Sequence, residues 1–271
     1  MSAHGTRGPF DFRFEVRHDG VAVLTLDRPA SLNSLTFAIY GQLERLFLDL
    51  DHDAEVKAVV LTGAGKGFCS GGDVEDIIGA LQSADAAETL RFTRMTGAVV
   101  RNMLRLGKPI VAAVNGTAAG AGAVLALASD LRVLSTSASF AFLFTKVGLT
   151  GADMGAAWLL PRVIGLGRAG ELLLLGDKLG ADDCLRAGLA NRVVAPERVL
   201  DEALALATRL AAGPSLALAM TKKLLVNEAV MDFEAAIEQE AQAQAVLLRC
   251  ADHAEFLAAW REKRAPRFTG R

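Results

Sequence analysis

At 271 residues the chain can bury a full core, as one large domain or a main domain with an appendage. Hydrophobic residues make up 52%, charged residues 22% and aromatic residues 6%, a composition that argues against disorder. With 29 basic and 31 acidic side chains the net charge is −2, so no global field would draw in nucleic acid.

Residues 14–26 alternate around Asp19-Gly20, a hairpin signal. After Asp27-Arg28-Pro29, residues 35–50 carry apolar side chains at helical spacing. Residues 58–61 read as a short buried strand, after which Gly63, Gly65, Gly67, Gly71 and Gly72 crowd a loop. A helix is expected over 86–106 and a second buried strand over 109–114. Asn115-Gly116 then enters another Gly/Ala loop that opens a helix near Ala121, and a third strand covers 131–134. This succession reads as repeated β–α units. From Met154 onward the pattern is almost wholly helical, with helices over 197–212, 215–230 and 233–248 and Pro214 parting the first two. An α/β core over residues 1–195 and a helical part over 196–271 are therefore expected. No self-similar period points to a repeat architecture.

His4, His18, His52 and His253 are scattered without ligand-like spacing, so no metal site is expected. Cys69, Cys184 and Cys250 form no disulfide pattern, which suits a reducing cytosol. The opening stretch has no apolar run of signal length, and the Gly/Ala-rich run 118–128 is too short to span a bilayer. A cytoplasmic protein with no membrane partner is the expectation.

The two Gly-rich loops, 63–77 and 115–130, each follow a buried strand. Glycine lets backbone approach a ligand closely, and a loop that opens a helix leaves N–H groups free for a developing negative charge. Two such loops facing one cavity would make an oxyanion hole; the plain alternative is tight packing. Other glycine motifs fail on the residues. A phosphate P-loop would need Gly where Val60 stands before Gly65-Lys66, and Gly67 follows where Ser or Thr is required. A dinucleotide fingerprint starting at Gly120-Ala121-Gly122 meets Leu125 at its third glycine. Ser70 sits in Phe68-Cys69-Ser70-Gly71-Gly72, which is not a nucleophile elbow. With no histidine in either loop, Cys69 is more simply an inert buried thiol than a nucleophile.

Over nearly its whole length the chain resembles the crotonase (enoyl-CoA hydratase/isomerase) superfamily. The resemblance is carried by Leu26-Asp27-Arg28-Pro29 with Leu32-Asn33-Ser34-Leu35, then by Gly67-Phe68-Cys69-Ser70-Gly71-Gly72-Asp73. It continues through Asn115-Gly116 with Ala119-Gly120-Ala121-Gly122-Ala123, Leu159-Leu160-Pro161-Arg162, Gly176-Asp177 and Ala187-Gly188-Leu189. Phe256 and Glu262-Lys263-Arg264-Ala265-Pro266-Arg267-Phe268 close it. The resemblance implies an α/β fold with a ββα superhelix core and a helical C-terminal trimerisation region. It also implies an acyl-CoA thioester as substrate, with coenzyme A part of the substrate and no separate cofactor. The N–H groups of Gly72 and Ala121 would hold the thioester oxygen. Phe68, Ser70, Gly71, Asp73 and Val74 would pass along the CoA adenine, with Asp73 bracing the loop, and Gly120 would adjoin the hole. Arg28, Lys66 and Lys263 are candidates for the CoA phosphates, against the ordinary reading of solvated surface cations. Homotrimers or hexamers are common in the family, and the apolar stripe Phe256, Leu257, Ala259 and Trp260 is consistent with packing on another subunit.

The chain departs from the hydratase pattern. Of the two glutamates with which hydratases of this family handle water, the first falls on Val124 and the second on Phe144. Phe142, Leu143 and Phe144 instead suggest an apolar pocket. The stretch Gly148 to Gly155, leading to Trp158-Leu159-Leu160-Pro161-Arg162, resembles isomerases in which an aspartate five residues before the Trp-like position carries the proton; Asp153 matches it. The plainer role for Asp153 is to cap a helix beginning near Met154. A double-bond isomerase of fatty or aromatic acyl-CoA esters is therefore expected, with Asp153 as acid/base. A hydratase with unusual water activation, or a non-catalytic acyl-CoA binding protein, stands as the alternative.

Overall fold

The computed structural model describes residues 9–271; His4 and the first eight residues of the opening stretch lie outside them. The chain starts with the expected hairpin, β1 (Arg13–Val16) antiparallel to β2 (Val21–Leu26), closed by the Arg17 N–H donating to the Val21 carbonyl at 2.9 Å. Helix α1 (Phe37–His52) follows, its first turn capped by the Thr36 hydroxyl, which accepts from the Ile39 N–H.

Three strand–strand–helix turns come next. The first runs β3 (Ala58–Gly63), β4 (Gly67–Cys69), a wide π-type turn at Val74–Gly79, short α2 (Ala80–Ser83) and α3 (Ala86–Arg105). The second is β5 (Ile110–Val114), β6 (Thr117–Ala119) and α4 (Ala121–Ala128). The third is β7 (Leu131–Ser135), β8 (Ser139–Ala141), a 3-10 turn at Leu143–Val147 and α5 (Ala156–Ile164). In each turn the first strand joins one sheet and the second strand joins another. The six-stranded sheet has the order β1-β2-β3-β5-β7-β10 and the four-stranded sheet β4-β6-β8-β9. Helix α6 (Leu166–Leu175), strand β9 (Lys178–Gly180), helix α7 (Ala181–Arg186) and strand β10 (Arg192–Val194) complete the two sheets. Helices α8 (Val199–Ala211), α9 (Ser215–Asn227), α10 (Phe233–Leu247) and α11 (Ala251–Glu262) end the chain.

This is the ββα superhelix that the resemblance implies, and it corrects two readings of the sequence. The architecture repeats although no sequence period does, because the first turn houses a 20-residue α3 and the second an 8-residue α4. The second sheet is built from segments read as loop or helix: β4, β6, β8 and β9 have three residues each. Three Gly- or Ala-containing residues are too few to show alternation, and pairing with neighbours makes them strands.

The central strands β2, β3 and β5 of the six-stranded sheet are buried on both faces, so they read as nearly continuous apolar runs. On one face Val21, Val23, Ala58, Val60, Val111, Ala113 and Val133 pack against Val199, Ala203, Leu206, Ala207 and Ala211 of α8. The alternate residues, among them Leu24, Val59, Leu61, Ile110 and Ala112, face the larger core with α1, α3 and α4. At the C-terminal end of α4 the buried Arg132 guanidinium donates to the carbonyls of Leu127 (3.1 Å), Leu189 (2.6 Å) and Ser129. A cation there complements the helix dipole and anchors the helix whose other end begins at Ala121. Lys222 of α9 is also buried and donates to Asp130 at 2.8 Å and to the Lys108 carbonyl at 3.1 Å. On α11 the expected apolar stripe divides: Phe256, Leu257 and Trp260 are exposed, while Ala259 is buried. Among the described residues no single helix is long and apolar enough to cross a membrane.

Candidate active site

The first Gly-rich loop is held by two side-chain amides, one buried (Asn33) and one partly exposed (Asn115). Asn33, in a left-handed conformation (φ 61°), donates from Nδ2 to the carbonyls of Ala64 (2.9 Å), Gly67 (2.8 Å) and Phe68 (3.3 Å). Asn115, at the start of the second loop, donates to the carbonyls of Gly65 (3.0 Å) and Gly67 (3.1 Å) and accepts from the Gly63 N–H. One side chain from each neighbouring segment therefore fixes the same turn.

Beyond β4 the chain pairs with the segment before α1. The Ser70 N–H donates to the Leu32 carbonyl and its hydroxyl to the Ser31 carbonyl, both at 2.9 Å. The Leu35 N–H donates to the Gly71 carbonyl, and the Asp73 N–H to the Leu35 carbonyl. This bridge uses the groups on either side of Gly72. The N–H of Gly72, and that of Ala121 at the first position of α4, meet no hydrogen-bond acceptor among the described residues. A Cβ on Gly71, whose φ is +104°, would lie 3.5 Å from the Ala121 nitrogen, so the two loops touch backbone to backbone. A Cβ on Gly122 would fall 2.3 Å from the Cys69 carbonyl oxygen, which lets only glycine follow Ala121 there.

Asp73 is the strut of this loop. It accepts from the Ser34 hydroxyl at 2.8 Å and from Arg28 Nη1 at 2.9 Å, and caps the following turn through the Glu75 and Asp76 N–H groups. The Asp76 N–H first, then Ser34 and Arg28, pull its carboxyl down to about 2. Arg28 Nη1 is thus engaged in the brace, donating also to the Ser34 carbonyl and hydroxyl.

Asp153 is half-buried, and burial raises its pKa against the opposing Met154 N–H. That N–H, at 2.9 Å, is the hydrogen-bond partner of its carboxylate among the described residues. Helix α5 starts at Ala156 with Gly155 as its N-cap and no side-chain cap, so the carboxylate is not spent on capping. Met154 and Gly155 border a cavity of about 270 Å³ walled by Val100, Leu104, Trp158 and Leu159. A wider groove of about 720 Å³, lined by Glu44, Arg91, Arg94 and Arg101, contains none of the loop residues.

The remaining candidates divide by exposure. Val74 is exposed, and Gly120 stands at the N-terminal edge of α4 with φ +51°. Lys66 and Lys263 are exposed, and neither ammonium has a hydrogen bond or ion pair among the described residues. Phe68 and Val124 depart from the expectation of substrate contact. Both have no accessible surface, since Phe68, in the middle of β4, packs into the main core and Val124 lies on an α4 buried all round. Phe142 is likewise sealed in the core, while Phe144 keeps 8% of its surface. Burial pushes the Cys69 thiol up to about 12, so it is protonated at neutral pH and no nucleophile.

One group escapes the sequence reading. Tyr40, the single tyrosine of the chain, is buried on α1, and its hydroxyl lies 4.0 Å from the β-position of Gly72. Nothing in the helical pattern around it distinguishes it from a core aromatic.

A family model described as enoyl-CoA hydratase/isomerase matches residues 16–271. The 1,2-epoxyphenylacetyl-CoA isomerase of Escherichia coli (strain K12) is 38% identical over 254 residues, covering 93% of this chain and 96% of the relative. A Rhodobacter capsulatus protein provisionally named an enoyl-CoA hydratase is 40% identical over 263 residues, covering 96% and 98%. A crystal structure of a Streptomyces coelicolor A3(2) protein, also provisionally named an enoyl-CoA hydratase, superposes with a TM-score of 0.96 at 52% identity. It covers 100% of this chain and 98% of the other.

Proposed function

Since the chain belongs to the enoyl-CoA hydratase/isomerase family, we propose that it moves a double bond, or an equivalent proton, within an acyl-CoA thioester. In this reading the N–H groups of Gly72 and Ala121 hold the thioester oxygen as negative charge develops on it. Preorganised backbone donors of this kind acidify the neighbouring carbon. Asp153 takes a proton from one carbon and returns it to another, so the step balances with one acid/base group and no redox partner. Coenzyme A is carried as part of the substrate.

The observation that carries this reading is the state of Asp153. Its carboxylate is half-buried, has a raised pKa and is free of capping duty, while Val124 and Phe144 stand where a hydratase would keep its glutamates. A single carboxylate suffices for proton shuttling; hydration also needs a water held and activated. The isomerase name of the Escherichia coli relative points the same way. In the same reading Ser70, Gly71, Asp73 and Val74 line the CoA path, with Lys66, Lys263 and the unbraced side of Arg28 available to its phosphates. The exposed Phe256, Leu257 and Trp260 of α11 would pack on another subunit of a trimer or hexamer.

The test is turnover of a panel of enoyl-CoA esters by the wild type and by Asp153→Asn. Loss of isomerisation with retained ester binding supports the assignment, and full turnover by the variant rejects it. Hydration of crotonyl-CoA by the wild type would favour the hydratase reading that two relatives' names suggest. Binding without conversion of any ester would leave a binding protein.

A further inference from the structure

Tyr40 projects from α1 toward the first loop, its ring held edge-on by Phe92 of α3 at a centroid distance of 5.7 Å. The hydroxyl and the Ile77 side chain sit 4.0 Å and 3.9 Å from the β-position of Gly72. The residue is 3% exposed, yet its hydroxyl has no hydrogen-bond partner among the described residues and is not among the polar atoms sealed from solvent. Burial raises its pKa well above the ordinary phenol value, with smaller contributions from nearby Cys69 and Asp153. At neutral pH it therefore keeps its proton. A hydroxyl on an otherwise buried ring, open to solvent and without a protein partner, is free to donate, and this one lies beside Gly72, whose N–H is also left free.

We propose that Tyr40 is a third hydrogen-bond donor of this site, its O–H donating to an oxygen of the bound acyl-CoA, either that of the thioester or one carried by the acyl group. The inference rests on the acyl-CoA reading above. It adds a side chain to what would otherwise be a purely backbone oxygen-binding site. It also implies that the site favours ligands whose oxygen can reach α1.

The experiment compares wild type with Tyr40→Phe, which keeps the ring and its packing on Phe92. Titration calorimetry is run with crotonyl-CoA, whose only acyl oxygen is that of the thioester, and with 3-hydroxybutyryl-CoA, which adds a second. Loss of one such bond is expected to weaken binding about tenfold. Loss on both esters identifies the thioester oxygen; loss confined to 3-hydroxybutyryl-CoA identifies the acyl oxygen. Because the chain has one tyrosine, labelling with 3-fluorotyrosine gives a single fluorine resonance at Tyr40, expected to move when the ester binds. Unchanged affinity of Tyr40→Phe for both esters overturns the inference while the loop reading stands. Weaker binding with an unmoved resonance marks a packing effect and overturns it too. Failure of the wild type to bind either ester removes the acyl-CoA reading and this inference with it.

Discussion

Gly71 and Ala121 meet at the contact between the two loops, the β-position of the glycine lying 3.5 Å from the alanine nitrogen and 3.1 Å from the Ala119 carbonyl oxygen. With φ at +104° the glycine also occupies backbone space that a side chain resists. Gly71→Ala is expected to cost about 1–3 kcal/mol of stability from strain. By displacing the neighbouring donors it should lower kcat by about 10²–10³-fold. Chemical denaturation and steady-state kinetics on one preparation check both; a variant as active as the wild type would show that the loop contact is not needed.

For Asp153 the raised pKa sets two pH dependences. In the proposed role of base it must be ionised, so the acid limb of kcat is expected above the ordinary carboxylate range. Asp153→Asn should remove that limb and cut kcat by about 10²–10⁴-fold. The stability sign is opposite to that of a paired carboxylate. A group whose folded pKa is raised holds its proton more tightly when folded, so it stabilises at low pH and loses this as pH rises through the folded value. Asp153→Asn should therefore melt above the wild type at neutral pH and with it at low pH, a comparison that scanning calorimetry settles.

Asp73 has the reverse sign. Its carboxyl is held at about 2 by the Asp76 N–H, Ser34 and Arg28. The stability it contributes is present above the ordinary carboxylate pKa and is lost as pH falls toward 2. Asp73→Ala, which removes a cap and an ion pair, is expected to cost roughly 1–2 kcal/mol at neutral pH. The gap should narrow in acid. Melting curves from neutral to acid pH check this; a gap independent of pH would show that the carboxylate charge does not brace the loop.

The thiols give a simple map of burial. Cys69 and Cys184 are buried and Cys250 is partly exposed, and burial pushes both Cys69 and Cys184 up to about 12. Brief alkylation of the native protein near pH 8 should modify Cys250 alone, and all three after unfolding. Mass spectrometry reads the sites directly, and rapid native labelling of Cys69 would contradict its place beneath the loop.

Much of the fold is legible in the chain because long elements carry period. The hairpin at Asp19-Gly20, helix α1 and the apolar strands β3, β5 and β7 lie within a few residues of where their patterns put them. Helices α3, α8, α9 and α10 do so too. Strands β4, β6, β8 and β9 are not legible, since three residues show no alternation and their identity comes from the neighbours they pair with. The site divides in the same way. Two Gly-rich loops, the absence of carboxylates at Val124 and Phe144, and Asp153 counted back from Trp158 are properties of the sequence. What Asp153 does with its carboxylate is not, because capping depends on where α5 begins, and it begins at Ala156 behind Gly155. The sealing of Phe68 and Val124 and the approach of the Tyr40 hydroxyl to Gly72 are likewise tertiary facts. Periodicity and local glycine chemistry determine which segments can be strands, helices and donor loops. Which groups end up beside one another, and which of them water and substrate can reach, is decided only when segments distant in sequence pack and shed their hydration.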